Sequence, residues 1–402
     1  MLDKVIRDSV HGDIYINDEV VYEIINTPEM QRLRRILQLG GAQFAYPSAS
    51  HTRSSHSLGV YHIVGMFLEG PGFSEVSKED GLLVRLAGLM HDFGHGAFSH
   101  TFEKITTRSH ELYTADIITN PEGNIAPILI KHGINPSDVV SVIDGTYPNK
   151  AINLLVSSQL DADRLDYLMR DSYNCGVNYA NIDVKWLSRH AFVIDEKITF
   201  PKKTIYAIES YLLGRYHMYQ QVYGHKLSVA FDEMFKVWYK RLSELNQKGY
   251  QFRNPVIQEM FSEIFAGETI PTSKYLKFDD YMMFEIFKSL SEEEDKIIAD
   301  LSSRIVNRNL FAYREFDEVK VNTLKAELRE QGFDTNYYLI KTTPKKPMIY
   351  KDGIIDGKDE TIYIQKSGKI KPLSKVSLLS QVANETNGEN LEKKYLFPKE
   401  IV

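Results

Sequence analysis

A chain of 402 residues, 43% hydrophobic and 25% charged, has the composition of a soluble globular protein with a substantial core, in one large domain or two moderate ones. Its formal net charge of −6 excludes a global pull toward nucleic acid or an anionic membrane, so any anion site must be a local cationic pocket. A single cysteine, Cys175, excludes an intramolecular disulfide framework; with no membrane-length apolar run and no signal-peptide pattern after Met1, the expected location is the cytoplasm.

In chain order, residues 4–16 alternate loosely around Asp8-Ser9-Val10-His11-Gly12, which predicts a short hairpin or extended arm. Thr27-Pro28 opens a helix, Thr as N-cap and Pro in the first turn, that runs past Met30, Leu33 and Leu37 and stops at Gly40-Gly41. Its other side carries Gln31, Arg32, Arg34, Arg35 and Gln38, a pattern that a solvated face explains equally well. Helices are expected over Leu58–Leu68, Leu82–Met90, 110–119 and 151–175, then a hairpin between about 190 and 204. Helical pattern resumes over 205–246 and 281–305. From about 310 the texture changes. Tyr337-Tyr338-Leu339-Ile340 and Thr361-Ile362-Tyr363-Ile364 read as strands, separated by turns at Lys351-Asp352-Gly353 and Asp356-Gly357. A helix near 374–383 and a polar segment, Asn384–Asn390, follow. The expected organisation is a mainly α body over residues 1–310 and a smaller α+β region over 311–402, with no internal repeat.

The chemistry concentrates in His91-Asp92-Phe93-Gly94-His95-Gly96-Ala97-Phe98-Ser99-His100. Buried imidazoles need partners, so three of them with an aspartate in ten residues serve poorly as core and well as ligands of a divalent metal. His91 and His95 share a face if the helix continues, and Phe93-Gly94 lets the chain turn. His11, His51, His56, His62 and His110 also fall in the first 110 residues, which points to a cluster rather than to scattered core rings. Ser50–His56 offers a His with Arg53 three residues before it. At helical spacing Asp163, Tyr167, Arg170 and Asp171 share one face opposite Leu165, Leu168 and Met169; an exposed face of i,i+4 pairs is the plainer alternative. Arg215, Tyr219, Tyr223 and Lys226 likewise share a face, able to hold phosphate and wall a nucleoside, although such an aromatic stripe is more often core.

Arg53-x-x-His56, His91-Asp92 and Asp163 together resemble the H…HD…D signature of the HD-superfamily phosphohydrolases. Gln31-Arg32-Leu33-Arg34, Gln38-Leu39-Gly40-Gly41, His56-Ser57-Leu58-Gly59-Val60 and Tyr223-x-His225-Lys226 narrow the resemblance. They match the deoxynucleoside triphosphate triphosphohydrolases, in the branch with the vertebrate SAM- and HD-domain enzyme and its bacterial relatives. The match runs from about Lys4 to Phe311 and implies a helical HD core. It implies His56, His91, Asp92 and Asp163 as ligands of one divalent ion, Zn, Mn, Fe or Mg, with Mg also accompanying the nucleotide. His95, His100 and His110, with Glu111, would be catalytic around the scissile phosphate; Arg53, Arg164 and Arg215 would bind phosphate. Arg164 stands where Lys is common, keeping the charge while changing the donor geometry, and Ser54 stands where an aromatic is frequent. Gln38, Leu39, Tyr167, Asp171 and Tyr223 match sugar-pocket positions, Asp171 for the 3′-hydroxyl, Leu39 and Tyr223 against a 2′-hydroxyl. Val5, Gln31, Arg34 and Arg308 match a regulatory nucleotide site, but Asn26 replaces its guanine-reading acid; an amide cannot accept from two guanine donors, which speaks against guanine-specific activation.

The implied activity is hydrolysis of dNTPs to deoxynucleoside and inorganic triphosphate, metal-bound water attacking the α-phosphorus. The implied partners are a dNTP, an activating nucleotide and further copies of the chain, tetramers in the family, with neither membrane nor nucleic acid. Two alternatives stand beside it: an HD phosphoesterase for nucleoside monophosphates or cyclic nucleotides, and a non-catalytic nucleotide sensor.

Overall fold

Asp8 and Gly12 make the first tight feature of the chain. In the computed structural model, which describes residues 4–343, 349–355, 358–380 and 393–401, the Asp8 carboxylate accepts from the backbone N–H of Val10 and His11, each at 2.9 Å. Gly12 supplies the positive φ, +77°, that the turn demands. The flanking strands β1 (Lys4–Asp8) and β2 (Gly12–Ile16) pair antiparallel, with Ile14 and Ile16 buried and Tyr15 exposed between them, as period-two alternation requires.

The helix opened by Thr27 is shorter than its apolar spacing predicts. Helix α1 covers only Pro28–Arg32, followed by one 3-10 turn, Leu33–Arg35. Ile36 is extended, because distant groups take the backbone that a helix would use. Ile36 O accepts from Arg53 N at 2.9 Å, Gln38 N donates to His51 O at 3.0 Å, and Leu37 N donates to Asp280 at 3.0 Å. The segment thus forms a bridge, Leu37 opposite Thr52, rather than the expected helix end at Gly40-Gly41.

Helix α2 (Arg53–Leu68) is the buried axis, capped by Thr52 Oγ1, with Val60, Ile63, Val64 and Phe67 wholly enclosed. Against it lie α3 (Lys78–Met90), where a Cβ at Gly88 would already press Val60 and Val64 at 3.2 Å, and α5 (Ala162–Asn174); α4 (His110–Thr119) follows the loop after α3. The continuous helix expected over 151–175 is broken. A short turn, Lys150–Asn153, ends early, and Asp161 caps α5 by accepting from Arg164 N at 2.8 Å while also holding Ser158 N at 2.8 Å.

Strands β3 (Phe192–Ile194) and β4 (Lys197–Pro201) form the expected hairpin, and α6 (Ile205–Met218) follows. The single helix expected over 205–246 is interrupted by a π turn, Tyr219–Tyr223, before α7 (Lys226–Gln247) begins. Helices α8 (Asp280–Leu290) and α9 (Lys296–Val306) pack on α7 around Trp238, Phe235 and Phe287, a second core separate from that around α2 and α3. The loop from His91 to His100 crosses the seam, Phe93 in one core and Phe98 in the other.

The region 311–402 is α+β, and its strands join two different sheets. Strands β5 (Ala312–Glu315), β6 (Ile340–Thr342) and β9 (Lys394–Phe397) form one sheet in the order β5-β9-β6. Strands β7 (Tyr363–Lys366) and β8 (Lys369–Pro372) instead extend the β3–β4 hairpin, β7 running parallel to β4 with Phe200 opposite Ile364. Burial of Phe200, Ile362, Ile364 and Leu373 between them favours that pairing. Tyr337-Tyr338 are helical, Thr335–Tyr338, because Asp334 caps Asn336 N at 2.9 Å, and the strand starts only at Ile340. Of the helix expected near 374–383, Leu373–Lys375 is a 3-10 turn and residues 378–380 are helical; residues 381–383, Asn384–Asn390 and the Asp356-Gly357 turn lie outside the described residues.

Candidate metal centre and substrate cleft

Helix α3 ends at Met90, so His91 and Asp92 project from its last turn instead of continuing it. His91 Nδ1 donates to Gly88 O at 2.8 Å, which leaves Nε2 free and aimed inward. His56, from α2, donates its Nδ1 proton to Asp166 Oδ2 at 2.8 Å and is likewise left with a bare Nε2. These two buried nitrogens have no hydrogen-bond partner of good geometry. Asp163 Oδ1, from α5, lies 3.0 Å from His56 Nε2 and 3.5 Å from His91 Nε2. Asp92 completes the ring, Oδ2 at 3.5 Å from His56 Nε2 and Oδ1 at 3.3 Å from His91 Nε2. The donor atoms of His56, His91 and Asp163 all fall within 4.8 Å of one another. Three distant segments therefore present two imidazole lone pairs and two carboxylates to one point, the donor set a divalent ion takes.

The electrostatics agree with that fit. Burial disfavours a charged His56, yet the carboxylates of Asp163 and Asp166 beside it outweigh burial and carry its pKa up to about 10. Burial also opposes ionisation of Asp92, but the charges of Arg53 and His91 hold it well below the usual carboxylate range. A point that draws positive charge so strongly suits a cation. Arg53 Nη1 donates to Asp92 Oδ2 at 2.5 Å and its Nε to Ser99 Oγ at 3.0 Å.

Beside the cluster, Phe98 and Ser99 both take positive φ, 54° and 56°, in a strained turn. Asp280 secures it, accepting from Phe98 N at 2.7 Å and Leu37 N at 3.0 Å. His95, buried against Arg53, is held well below the usual imidazole pKa by burial and that cation, and stacks on His110 at 3.8 Å. Glu103 accepts from His100 at 3.0 Å and His110 at 2.8 Å. A cleft joins these groups to an aromatic wall. Asp92, His95, His100, His110, Glu111 and Asp163 line one part; Gln38, Leu39, Tyr167, Asp171, Tyr219 and Tyr223 line the other, with Arg53 between. Asp171 accepts from Tyr223 Oη at 2.8 Å and from His51 Nε2 at 2.7 Å.

Some residues read onto this cleft lie elsewhere. Arg170 does not share the Asp163–Tyr167–Asp171 face; it is buried and grips Asp166 and Asp8, each at 2.8 Å. Arg164 and Arg215 are not among the lining residues. Both donate to Gln159 Oε1, Arg215 at 2.7 Å, and Arg164 also pairs with Glu360 at 3.1 Å. Arg215 nevertheless stays beside the aromatic wall, its guanidinium 5.7 Å from the centre of the Tyr219 ring, whereas Lys226, beyond the π turn that shifts the helical phase, is exposed. Of the regulatory set, Val5 and Arg34 are exposed, Gln31 donates to Ile25 O at 2.8 Å, and Arg308 donates to Phe44 O at 2.8 Å. Asn26 lines a surface pocket with Tyr22, Glu23 and Asn124, which none of the other four lines.

Sequence reasoning passed over Asp166, Glu103 and Asp280, and counted His51 in the histidine cluster without giving it a role. Asp166 carried a signal, its place one helical turn after Asp163; the others are joined to the site only by the fold.

Comparison with known proteins gives the class. The chain matches the HD domain over residues 53–146 and the HD associated region over 182–391. It is 34% identical to YwfO of Bacillus subtilis, across 100% of this chain and 93% of that protein. It is 28% identical to the deoxynucleoside triphosphate triphosphohydrolase SAMHD1 homolog of Dictyostelium discoideum, across 80% of this chain and 62% of that one. A crystal structure of a phosphohydrolase from Bacteroides thetaiotaomicron superposes with a TM-score of 0.86 at 29% identity, covering 99% of this chain and 100% of the other. The chain belongs to the HD-domain phosphohydrolase family. It is a hydrolase of the metal-dependent, nucleotide-directed kind, and among the described residues no helix is long and apolar enough to cross a membrane.

Proposed function

We propose that this protein hydrolyses deoxynucleoside triphosphates to deoxynucleoside and inorganic triphosphate. One observation carries the reading: a single cleft runs from the His/Asp cluster, past three histidines, to a wall of Leu39, Tyr167, Tyr223 and Asp171. His56, His91, Asp92 and Asp163 would hold the divalent ion, which when bound supplies Lewis-acid polarisation of phosphate and acidifies water. Arg53, spanning Asp92 and the Ser99 turn, is placed to meet charge developing on the α-phosphate. A water oxygen bonds to the α-phosphorus, the bond from phosphorus to the 5′-oxygen breaks, and that oxygen needs a proton. Glu103 accepts from Nδ1 of both His100 and His110, and the doubly protonated form of either ring can deliver it from Nε2. Asp171 has lone pairs left for a sugar 3′-hydroxyl, and the Tyr223 ring beside it closes space that a 2′-hydroxyl would fill.

The test is incubation of the purified protein with Mn or Mg ions and each dNTP and NTP, singly and mixed, with ion chromatography of the products. Triphosphate from dNTPs is expected; pyrophosphate or phosphate instead would overturn the reading, and activity in mixtures alone would reveal an activating nucleotide. A second reading, a monophosphate or cyclic-nucleotide esterase, is favoured by Arg164 and Arg215 being already paired with Glu360 and Gln159. Turnover of those substrates, with none of dNTPs, would establish it.

A further inference from the structure

The turn of the N-terminal hairpin lies far from the cleft in sequence, yet its polar side chains run into the back of the metal cluster. Asp166 is wholly buried and receives four hydrogen bonds. Oδ2 accepts from His56 Nδ1 and Arg170 Nε, both at 2.8 Å. Oδ1 accepts from His11 Nε2 at 2.6 Å and Arg170 Nη2 at 3.0 Å. Arg170 forks onward to Asp8, Nη1 to Oδ2 at 2.8 Å and Nη2 to Oδ1 at 3.2 Å, and Asp8 in turn holds the turn that presents His11. The fit is tight. A Cβ at Gly59, one turn after His56 on α2, would sit 1.8 Å from Asp166 Oδ1.

An ionised carboxylate only accepts, so Asp166 obliges His56 to carry its proton on Nδ1 and leaves Nε2 as a lone pair toward the cluster. Such a partner also fixes the plane of the ring and raises its basicity as a ligand. The donors that brace Asp166 from behind, Arg170 and His11, come from α5 and from the hairpin turn. We propose that Asp166 is a positioning residue for the metal ligand His56 and that His11 and Arg170 brace it, which makes the N-terminal hairpin part of the metal centre. This rests on His56 as a ligand, but not on which nucleotide is hydrolysed.

The experiment measures divalent-ion content and Mn affinity of the full-length protein by chelator competition, and the visible spectrum of the Co-substituted form, all without substrate. Asp166→Asn, His11→Ala, His11→Gln and Gly59→Ala are compared with wild type, with thermal midpoints taken in excess chelator to separate fold from site. For Asp166→Asn and Gly59→Ala the affinity is expected to fall by about 10- to 100-fold, the range for losing an outer partner, with an altered Co spectrum. His11→Ala should lose about 10-fold, and His11→Gln, which keeps an N–H donor, should recover it. A folded Asp166→Asn with wild-type affinity and spectrum overturns the proposal. Should that variant not fold, His11→Ala decides: unchanged affinity beside a lowered chelated midpoint means that His11 only pins the hairpin. A wild-type protein that binds metal yet releases no triphosphate sinks the proposed substrate and leaves this inference standing; one that binds no metal sinks this one.

Discussion

The two ends of the cleft are finished differently. At the metal end each imidazole is completed from outside the cleft, His56 by Asp166 and His91 by Gly88 O, so the inward-facing atoms have nothing left to bind but a cation. At the arginines proposed to meet phosphate the reverse holds: Arg164 is already bonded to Gln159 and Glu360, and Arg215 to Gln159. The first is preorganised and costs little to fill; the second, if it serves a substrate anion, must exchange internal partners first.

The comparison breaks most completely if the metal end is not what organises the cleft. His91→Ala with Asp92→Ala removes two donors and is expected to lower metal affinity and turnover together by well over about 100-fold, beyond the loss of an outer partner. Metal analysis beside a product assay checks it; a variant that keeps turnover without metal would dissolve the distinction between the two ends.

The next effects sharpen the other end. Arg164→Ala should raise KM by about 10- to 100-fold if the substrate captures this guanidinium, since a hydrogen bond to a charged group contributes about 1.5–3 kcal/mol. Glu360→Gln removes the competing carboxylate while keeping its shape, and KM should fall, by up to about 10-fold. Steady-state kinetics on both variants reads the pair. If Arg164→Ala leaves KM unchanged, the Arg164–Glu360 pair only fastens the strand region around β7 to α5, and the monophosphate reading gains.

Which parts were legible in the sequence follows the same division. Ligand chemistry is written in residue type, so His91-Asp92, His56 and Asp163 stand out against any core requirement, and the structure brings them together. Cleft position is not written in the same way. Arg170 and Asp171 are adjacent and equally polar, and only packing of α5 on α2 turns one toward Asp166 and the other to Tyr223. Local elements misread for a related reason: the spacing of Met30, Leu33 and Leu37 is helical, but His51, Arg53 and Asp280 claim the backbone of 36–38 from elsewhere in the chain. Strand β7 was visible in Thr361–Ile364 while β8 was not read, and the other partner of β7, β4, lies more than a hundred residues earlier, where no local pattern names it.

Sugar discrimination is a smaller effect, because an apolar wall rejects an added hydroxyl by only about 100-fold. Tyr223→Ala should lower the dNTP-to-NTP ratio of kcat/KM by about 10-fold or more, whereas Tyr223→Phe keeps the ring, loses the bond to Asp171, and should keep most of the ratio. Equal ratios in wild type and Tyr223→Ala would make Tyr223 a packing residue and remove the wall from the comparison.

The smallest expected effect concerns the turn that joins the two ends. Burial pushes Asp280 up to about 7 from an ordinary 3.8, despite the two backbone N–H groups it accepts from. A raised acid pKa means that the native state keeps a proton which the unfolded chain has released. Its contribution to stability is therefore full below about pH 3.8 and is lost as pH rises toward 7, at no more than about 1.4 kcal/mol per pH unit. Thermal midpoints of the wild type and Asp280→Asn, followed from pH 4 to pH 8 in chelator, should differ in slope, the variant being flatter. Parallel curves would show that Asp280 is ionised throughout and that the Phe98–Ser99 turn is held by a carboxylate accepting from Phe98 N and Leu37 N, in which case both ends of the cleft are tied by the same kind of bond.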